Sequence, residues 1–205
     1  MGRKQKNRRL KLKYAVLGEG ITEQWYLQHL KEHENFVYAI RPSLFTDVSI
    51  EKAEGIIDEL VTGGCDHITF LTDYDTIVSQ GKQKVFESIK NKYSDNDNVL
   101  ICESMPAIEL WFLLHFVYTT KEFTNCAQVI KDLKNYLPEY EKKKTYLEKI
   151  DWFNEMIKDG GNENALKNAR KLLKELEKGH TGEHFPYTKM PKAIKAFEKQ
   201  KKDTG

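Results

Sequence analysis

The sequence predicts an α/β protein, a mostly parallel four-stranded core sheet flanked by helices and followed by a helical C-terminal extension. Three observations predict it. Four short apolar runs, at 14–17 (YAVL), 37–40 (VYAI), 68–71 (ITFL) and 99–102 (VLIC), do not alternate with polar residues. Continuous apolar strands of this length belong in a sheet covered on both faces. Helical patterns separate the runs, and the order β-α-β-α-β-α-β is that of a layered fold with crossover helices. Beyond about Thr120 only helical stripes remain.

Taken in order, Thr22 is placed to cap a first helix running to about His33, with Ile21 and Tyr26 spaced as a hydrophobic staple. The second helix carries Ile50, Ala53, Ile56, Ile57, Leu60 and Val61 as one stripe and stops at Gly63-Gly64. Val85, Phe86, Ile89 and Tyr93 mark the third. The segment 108–116 (IELWFLLHF) is apolar nearly all round, as a helix buried against a sheet would be. Trp25, Trp111, Phe112 and Phe116 read as core, and His115 as a core histidine. Four stripes follow: Val129, Ile130, Leu133 and Leu137; then Leu147, Ile150, Phe153, Met156 and Ile157; then Leu166, Ala169, Leu172, Leu173 and Leu176, ended by Gly179; then Met190, Ala193, Ile194 and Phe197. Pro191 is tolerable in the first turn of the last. The expected layout is a basic, flexible arm over 1–12, an α/β core over 13–119, and a helical region over 120–205 packed on that core.

Composition narrows the class. The chain has 205 residues, of which 40% are hydrophobic and 31% charged, the balance of a globular protein with a real core. No apolar run approaches the ~20 residues of a membrane span, and no apolar stretch follows the basic start as in a signal peptide. Cys65, Cys102 and Cys126 are scattered, without a CxxC. That excludes disulfide scaffolds, c-type haem and zinc fingers and points to a reducing cytoplasm. The absence of GxxxxGK[ST] excludes a P-loop ATPase. Net charge is +2, yet Arg3, Lys4, Lys6, Arg8, Arg9, Lys11 and Lys13 stand together without an acid, which leaves the remainder at −5. A basic arm on an acidic body suits an anionic polymer, since each contact with phosphate releases counterions; a solvated start to the chain would read the same way.

In an open parallel sheet, ligands bind outside the carboxyl ends of the strands. Gly18-Glu19-Gly20 and Glu23 follow the first run, Asp73-Tyr74-Asp75 the third, and Glu103-Ser104 the fourth, with Glu109 opening the buried helix. Three of four strands thus empty into carboxylates, whose mutual repulsion a divalent cation relieves. Carboxylate oxygens are the donors that Mg²⁺ and Mn²⁺ prefer. Residues two apart in extended chain point the same way, so Asp73 and Asp75 can reach one ion. Singly, Glu23 is also what the positive end of a helix favours, and Asp73 and Asp75 are ordinary turn acids. Their conjunction with Glu19 is what points to a site. His29 and His33, and His180 and His184, are spaced for zinc on a helix, but neither pair sits at a strand end or has a third ligand nearby. His184 and Lys189 could instead touch a substrate phosphate.

The stretch YAVLGEGITEQWYLQHL, followed by ITFLTDYD, resembles a Toprim domain, the catalytic core of topoisomerases, primases and OLD-type nucleases. The segment SMPAIELWFLLHF is similar to the SNPCFELWLLLHF-type motif of the RloB-like family of bacterial restriction and phage-defence loci. The resemblance covers roughly 14–116 and, more weakly, the helical end. It implies metal and acid–base roles for Glu19, Asp73 and Asp75, and a second-metal group of Glu23, Ser104 and Glu109. Met105 and Ala107-Ile108 depart from the pattern in packing, and 184–189 (HFPYTK) replaces the family's Asn-Pro-Ser-Thr segment.

The expectation is a metal-dependent nuclease using two Mg²⁺ or Mn²⁺ ions to hydrolyse phosphodiesters, with Lys189 as a transition-state contact. The resemblance implies anti-phage defence, a DNA or RNA substrate with tRNA among the candidates, and an ATPase partner; a homo-oligomer is compatible with it. The alternative is a non-catalytic regulatory or assembly subunit of an ATPase complex, which has no reason to keep Glu19, Asp73 and Asp75 together. A receiver-like phosphoacceptor would show paired acids after the first strand and a lone Asp after the third, the reverse of this order.

Overall fold

A computed structural model describes residues 13–41, 48–179 and 182–204; the basic arm and His180 lie outside the described residues. Five strands form one sheet: β1 (Tyr14–Gly18), β2 (Ala39–Arg41), β3 (His67–Asp73), β4 (Val99–Met105) and β5 (Tyr187–Thr188), in the order β2-β1-β3-β4-β5. The first four are mutually parallel, and β5 runs antiparallel to β4 through Ser104–Thr188 and Met105–Tyr187. The expected four-stranded sheet is corrected by β5. Two residues are too few to show periodicity, but they cover the backbone edge that β4 would otherwise leave open.

β3 and β4 outrun their apolar segments. Pairing continues through Thr72–Glu103 and Asp73–Ser104, because ladder bonds belong to the backbone whatever the side chains are. Asp73 is therefore the last residue of β3, while Glu103 and Ser104 lie inside β4 rather than after it. Period-two alternation puts Asp73 and Ser104 on one face and Thr72 and Glu103 on the other.

The helices are α1 (Ile21–Glu34), α2 (Ile50–Thr62), α3 (Tyr74–Ser79), α4 (Gln83–Lys92), α5 (Glu109–Leu113), α6 (Cys126–Leu133), α7 (Lys144–Leu147), α8 (Asp151–Ile157), α9 (Gly161–Glu177) and α10 (Met190–Thr204). Helix α1 starts before the expected cap: Gly20 is the N-cap, and the Glu23 carboxylate accepts its N–H at 3.1 Å. Thr22 is thereby inside the first turn. A side chain at Gly18 would put Cβ 2.6 Å from the Cβ of Glu23, so this glycine is what lets α1 lie close to β1. Ser49 caps α2 by accepting the Lys52 N–H at 3.4 Å, and Gly64 takes a left-handed φ of 69° just past its end.

Both faces of the sheet are covered. Leu17, Ile68 and Phe70 pack with Ala53, Ile57, Ile77, Phe86 and Ile89 from α2, α3 and α4. Tyr14, Val16, Leu71 and Cys102 belong to a larger cluster that runs through Tyr26, Trp111, Phe153, Leu172 and Phe197. The C-terminal helices thus share this core with α1 and α5. Two expected stripes are broken. Val37 is exposed, β2 begins at Ala39, and buried Tyr38 donates its hydroxyl to Leu27 O at 2.8 Å. The stripe 147–157 divides into α7 and α8, which turns Ile150 outward. No helix among the described residues is long and apolar enough to cross a membrane.

Candidate active site

At the carboxyl end of β1 and β3 lies a cleft of about 480 Å³, lined among others by Glu19, Glu23, Asp73, Lys52, Lys82 and Lys142. Each acid is fixed by a backbone donor. Glu19, in the turn after β1, accepts the Asp73 N–H at 3.2 Å. Glu23 accepts from Gly20, as described above. Asp73 Oδ1 accepts the Ile108 N–H at 2.8 Å, and Asp75 Oδ2 accepts the Cys126 N–H at 2.8 Å. The extended-chain argument for Asp73 and Asp75 is corrected here. Asp73 ends a strand, Asp75 begins α3, and their carboxylates are tied to different loops. Glu109, at the start of α5, is fully buried. Its Oε1 accepts the Tyr140 hydroxyl at 2.9 Å, and its Oε2 accepts the Cys126 thiol at 3.0 Å.

Burial and crowding set the electrostatics. Burial foremost, with Glu23 and Asp75 nearby, pushes the Glu19 carboxyl up to about 7, although the hydrogen bond it accepts from the Asp73 N–H opposes this. Glu23 is raised by burial and by the charge of Glu109, and Asp73 by burial and then by the charges of Glu23 and Glu109. Their two carboxyls are in hydrogen-bonding contact, an arrangement that needs a proton, or some other positive charge, between them. Asp75 is raised chiefly by burial.

One cation sits among these acids. Lys142 Nζ is 3.0 Å from Glu109 Oε1 and 4.0 Å from Asp73 Oδ2, and it is the strongest favourable influence on Glu23. Burial lowers its pKa, but the attraction of Glu109, Asp73 and Glu23 outweighs burial and holds the ammonium charged. Lys142 lies in the run 141–144 (EKKK), which reads as solvated surface, and nothing in its spacing marks it. The only trace is Tyr140, an aromatic inside a charged stretch.

Of the remaining expected residues, Ser104 is turned aside: its hydroxyl shares a 2.7 Å hydrogen bond with Thr188. Lys189 pairs with Glu103 at 2.5 Å, on a strand residue whose side chain faces away from Asp73. His29 is buried with Nε2 2.8 Å from Leu147 O, whereas His33 stands beside Glu34 at the surface, so the pair does not converge. His115 is a satisfied core histidine, with Nδ1 2.8 Å from Trp111 O and Nε2 3.2 Å from the Asn162 amide.

By donor chemistry, Glu19, Asp73 and Asp75 suit one hard cation such as Mg²⁺ or Mn²⁺. Among the described residues no three His, Cys, Asp or Glu side chains converge as a finished ligand set. A second ion fits less well: of Glu23, Ser104 and Glu109, one faces β5 and the other two face Lys142.

The fold and cleft define an α/β protein with a carboxylate-lined pocket at the carboxyl edge of a mostly parallel sheet. The family model of RloB-like proteins matches residues 14–197. The chain belongs to the RloB-like family. No curated protein and no solved structure matches it significantly.

Proposed function

We propose that this protein is a metal-dependent nuclease with a Toprim-like catalytic core, acting on DNA or RNA in the cytoplasm in bacterial anti-phage defence and working beside an ATPase partner. The observation that carries the reading is the gathering of Glu19, Glu23 and Asp73 from the ends of β1 and β3 in one cleft, with Asp75 and Glu109 close enough to raise the carboxyls of Glu19 and Asp73. The defence setting and the ATPase rest on the family's character. A divalent ion held by these carboxylates would withdraw charge from a phosphoryl group under attack. Without an ion the Glu19 carboxyl sits near 7, so a divalent ion binding there would displace its proton and bind more tightly as pH rises. Backbone donors hold Asp73, Asp75 and Glu23 in place, so little reorganisation is needed when the site fills. Lys52 and Lys82 line the same cleft and supply positive charge for a substrate backbone. For Lys189 to reach a phosphate, its pair with Glu103 must open.

A second reading has one observation in its favour. Lys142 already neutralises part of the acid set, as a non-catalytic regulatory subunit could tolerate. The deciding experiment incubates wild type and Asp73→Asn with plasmid DNA, single-stranded DNA and total tRNA, with Mg²⁺ or Mn²⁺ and with chelator. Metal-dependent cleavage of any of the three, lost in the variant, is expected. A folded wild type inert on all three leaves the regulatory subunit standing.

A further inference from the structure

We propose that the Lys142 ammonium fills the second cation position of the cleft, so that each chain takes one divalent ion rather than two. This rests on the metal-dependent reading above and specifies how the site is filled.

Three buried carboxylates, those of Glu23, Asp73 and Glu109, face one ammonium and no other cation of the cleft. Buried charges must be paired and hydrogen-bonded, and Glu109 is fully committed. One oxygen takes both the Tyr140 hydroxyl and Lys142, and the other takes the Cys126 thiol. A second ion using Glu109 would have to expel Lys142 and break a hydrogen bond to a residue in the core. Ser104, the neutral member of the group implied by resemblance, is occupied with Thr188.

The lysine is also held in place. Its stem is exposed, but Tyr140, two residues earlier, is fully buried and packs against Phe112, Tyr146 and Trp152. Lys143 instead pairs with Glu141 at the surface. Only the residue two beyond the aromatic anchor is delivered to the acids. Among the described residues Glu19 has no ion pair with Lys142 and accepts the Asp73 N–H, whereas Asp75 feels the charges of both Lys142 and Glu109; the oxygens of Glu19 and Asp73 are left for a single ion.

The test is metal stoichiometry on the full chain: Mn²⁺ binding by calorimetry, and electron paramagnetic resonance of the loaded protein. Wild type and Lys142→Arg should bind one Mn²⁺ per chain with the spectrum of an isolated ion. Lys142→Met, which keeps the stem and removes the charge, should bind a second ion at least tenfold more tightly than wild type does and show spin coupling between neighbouring ions. Lys142→Gln serves if the methionine variant melts early. Two ions bound to wild type would overturn the inference while leaving the nuclease reading intact, as would one ion in a folded Lys142→Met. No ion bound to wild type would overturn both.

Discussion

Asp73 and Trp111 separate chemistry from folding. Trp111 is 1% exposed, and its Nε1–H donates to the Tyr26 hydroxyl at 2.7 Å in the larger core. Truncating a buried aromatic of this size costs roughly 3–5 kcal/mol, and the orphaned Tyr26 oxygen adds about 1. For a chain of this length each kcal/mol is worth roughly 2–4 °C, so Trp111→Ala should melt on the order of 10–20 °C below wild type. Asp73→Asn works in the other direction. The amide oxygen still accepts the Ile108 N–H, no cavity forms, and one negative charge leaves a site where Glu23 and Glu109 repel it. Its melting temperature without metal should equal or exceed that of wild type. The assay pairs circular-dichroism melts in chelator with cleavage in Mg²⁺ at a temperature where all three proteins are folded. Asp73→Asn should be folded and inactive, and Trp111→Ala should lose activity only as it unfolds. A folded Asp73→Asn with wild-type cleavage would refute the nuclease reading. A variant melting more than about 5 °C low would show that Lys142 attracts Asp73 more strongly than its neighbours repel it.

Further outcomes are expected. Burial pushes the His115 imidazole from 6.5 down to about 4. A folded value below the unfolded one contributes stability above about pH 6.5 that is lost as pH falls through about 4, at ~1.36 kcal/mol per unit or about 3 kcal/mol in all. Urea unfolding should show wild type losing about that much more than His115→Gln between pH 7 and pH 4, and parallel losses would contradict it. Gly18→Ala should push α1 off β1 through the 2.6 Å contact with Glu23, costing about 1–3 kcal/mol and weakening Mn²⁺ binding. Unchanged melting and binding would show that the helix yields freely. Deleting residues 1–11 should leave the melting curve unchanged and flatten the salt dependence of nucleic-acid binding, since six basic residues of the arm go with them; an identical slope would show that the arm touches no phosphate.

The strands, the helices between them and most of the core were legible because local periodicity records burial. Apolar runs at 14–17 and 68–71 became β1 and β3, and the stripes of α2, α4, α9 and α10 fell where their spacing put them. Gly63-Gly64 ended α2, and His115 proved to be core. Glu19, Glu23 and Asp73 were found because strand ends in parallel sheets face the ligand edge, a rule that needs only the order of elements. Less legible were features whose local sequence is ordinary. Thr22 reads as a cap, but Glu23 reaching back to Gly20 moves the helix start. Ile150 belongs to an apolar stripe, yet the chain breaks there.

What the sequence determined by itself was the α/β class, the carboxylate edge and the family. What tertiary structure alone decided was which charges meet. β5 joins β4 from more than eighty residues away and captures Ser104 through Thr188, and Glu103 inside β4 takes Lys189. Lys142 reaches Glu109 from a lysine run indistinguishable from solvated surface. Periodicity reports which side of an element is buried, because burial acts on every turn. An ion pair between distant segments leaves no such period, since it depends on one side chain being delivered by the packing of its neighbours, here the fully buried Tyr140.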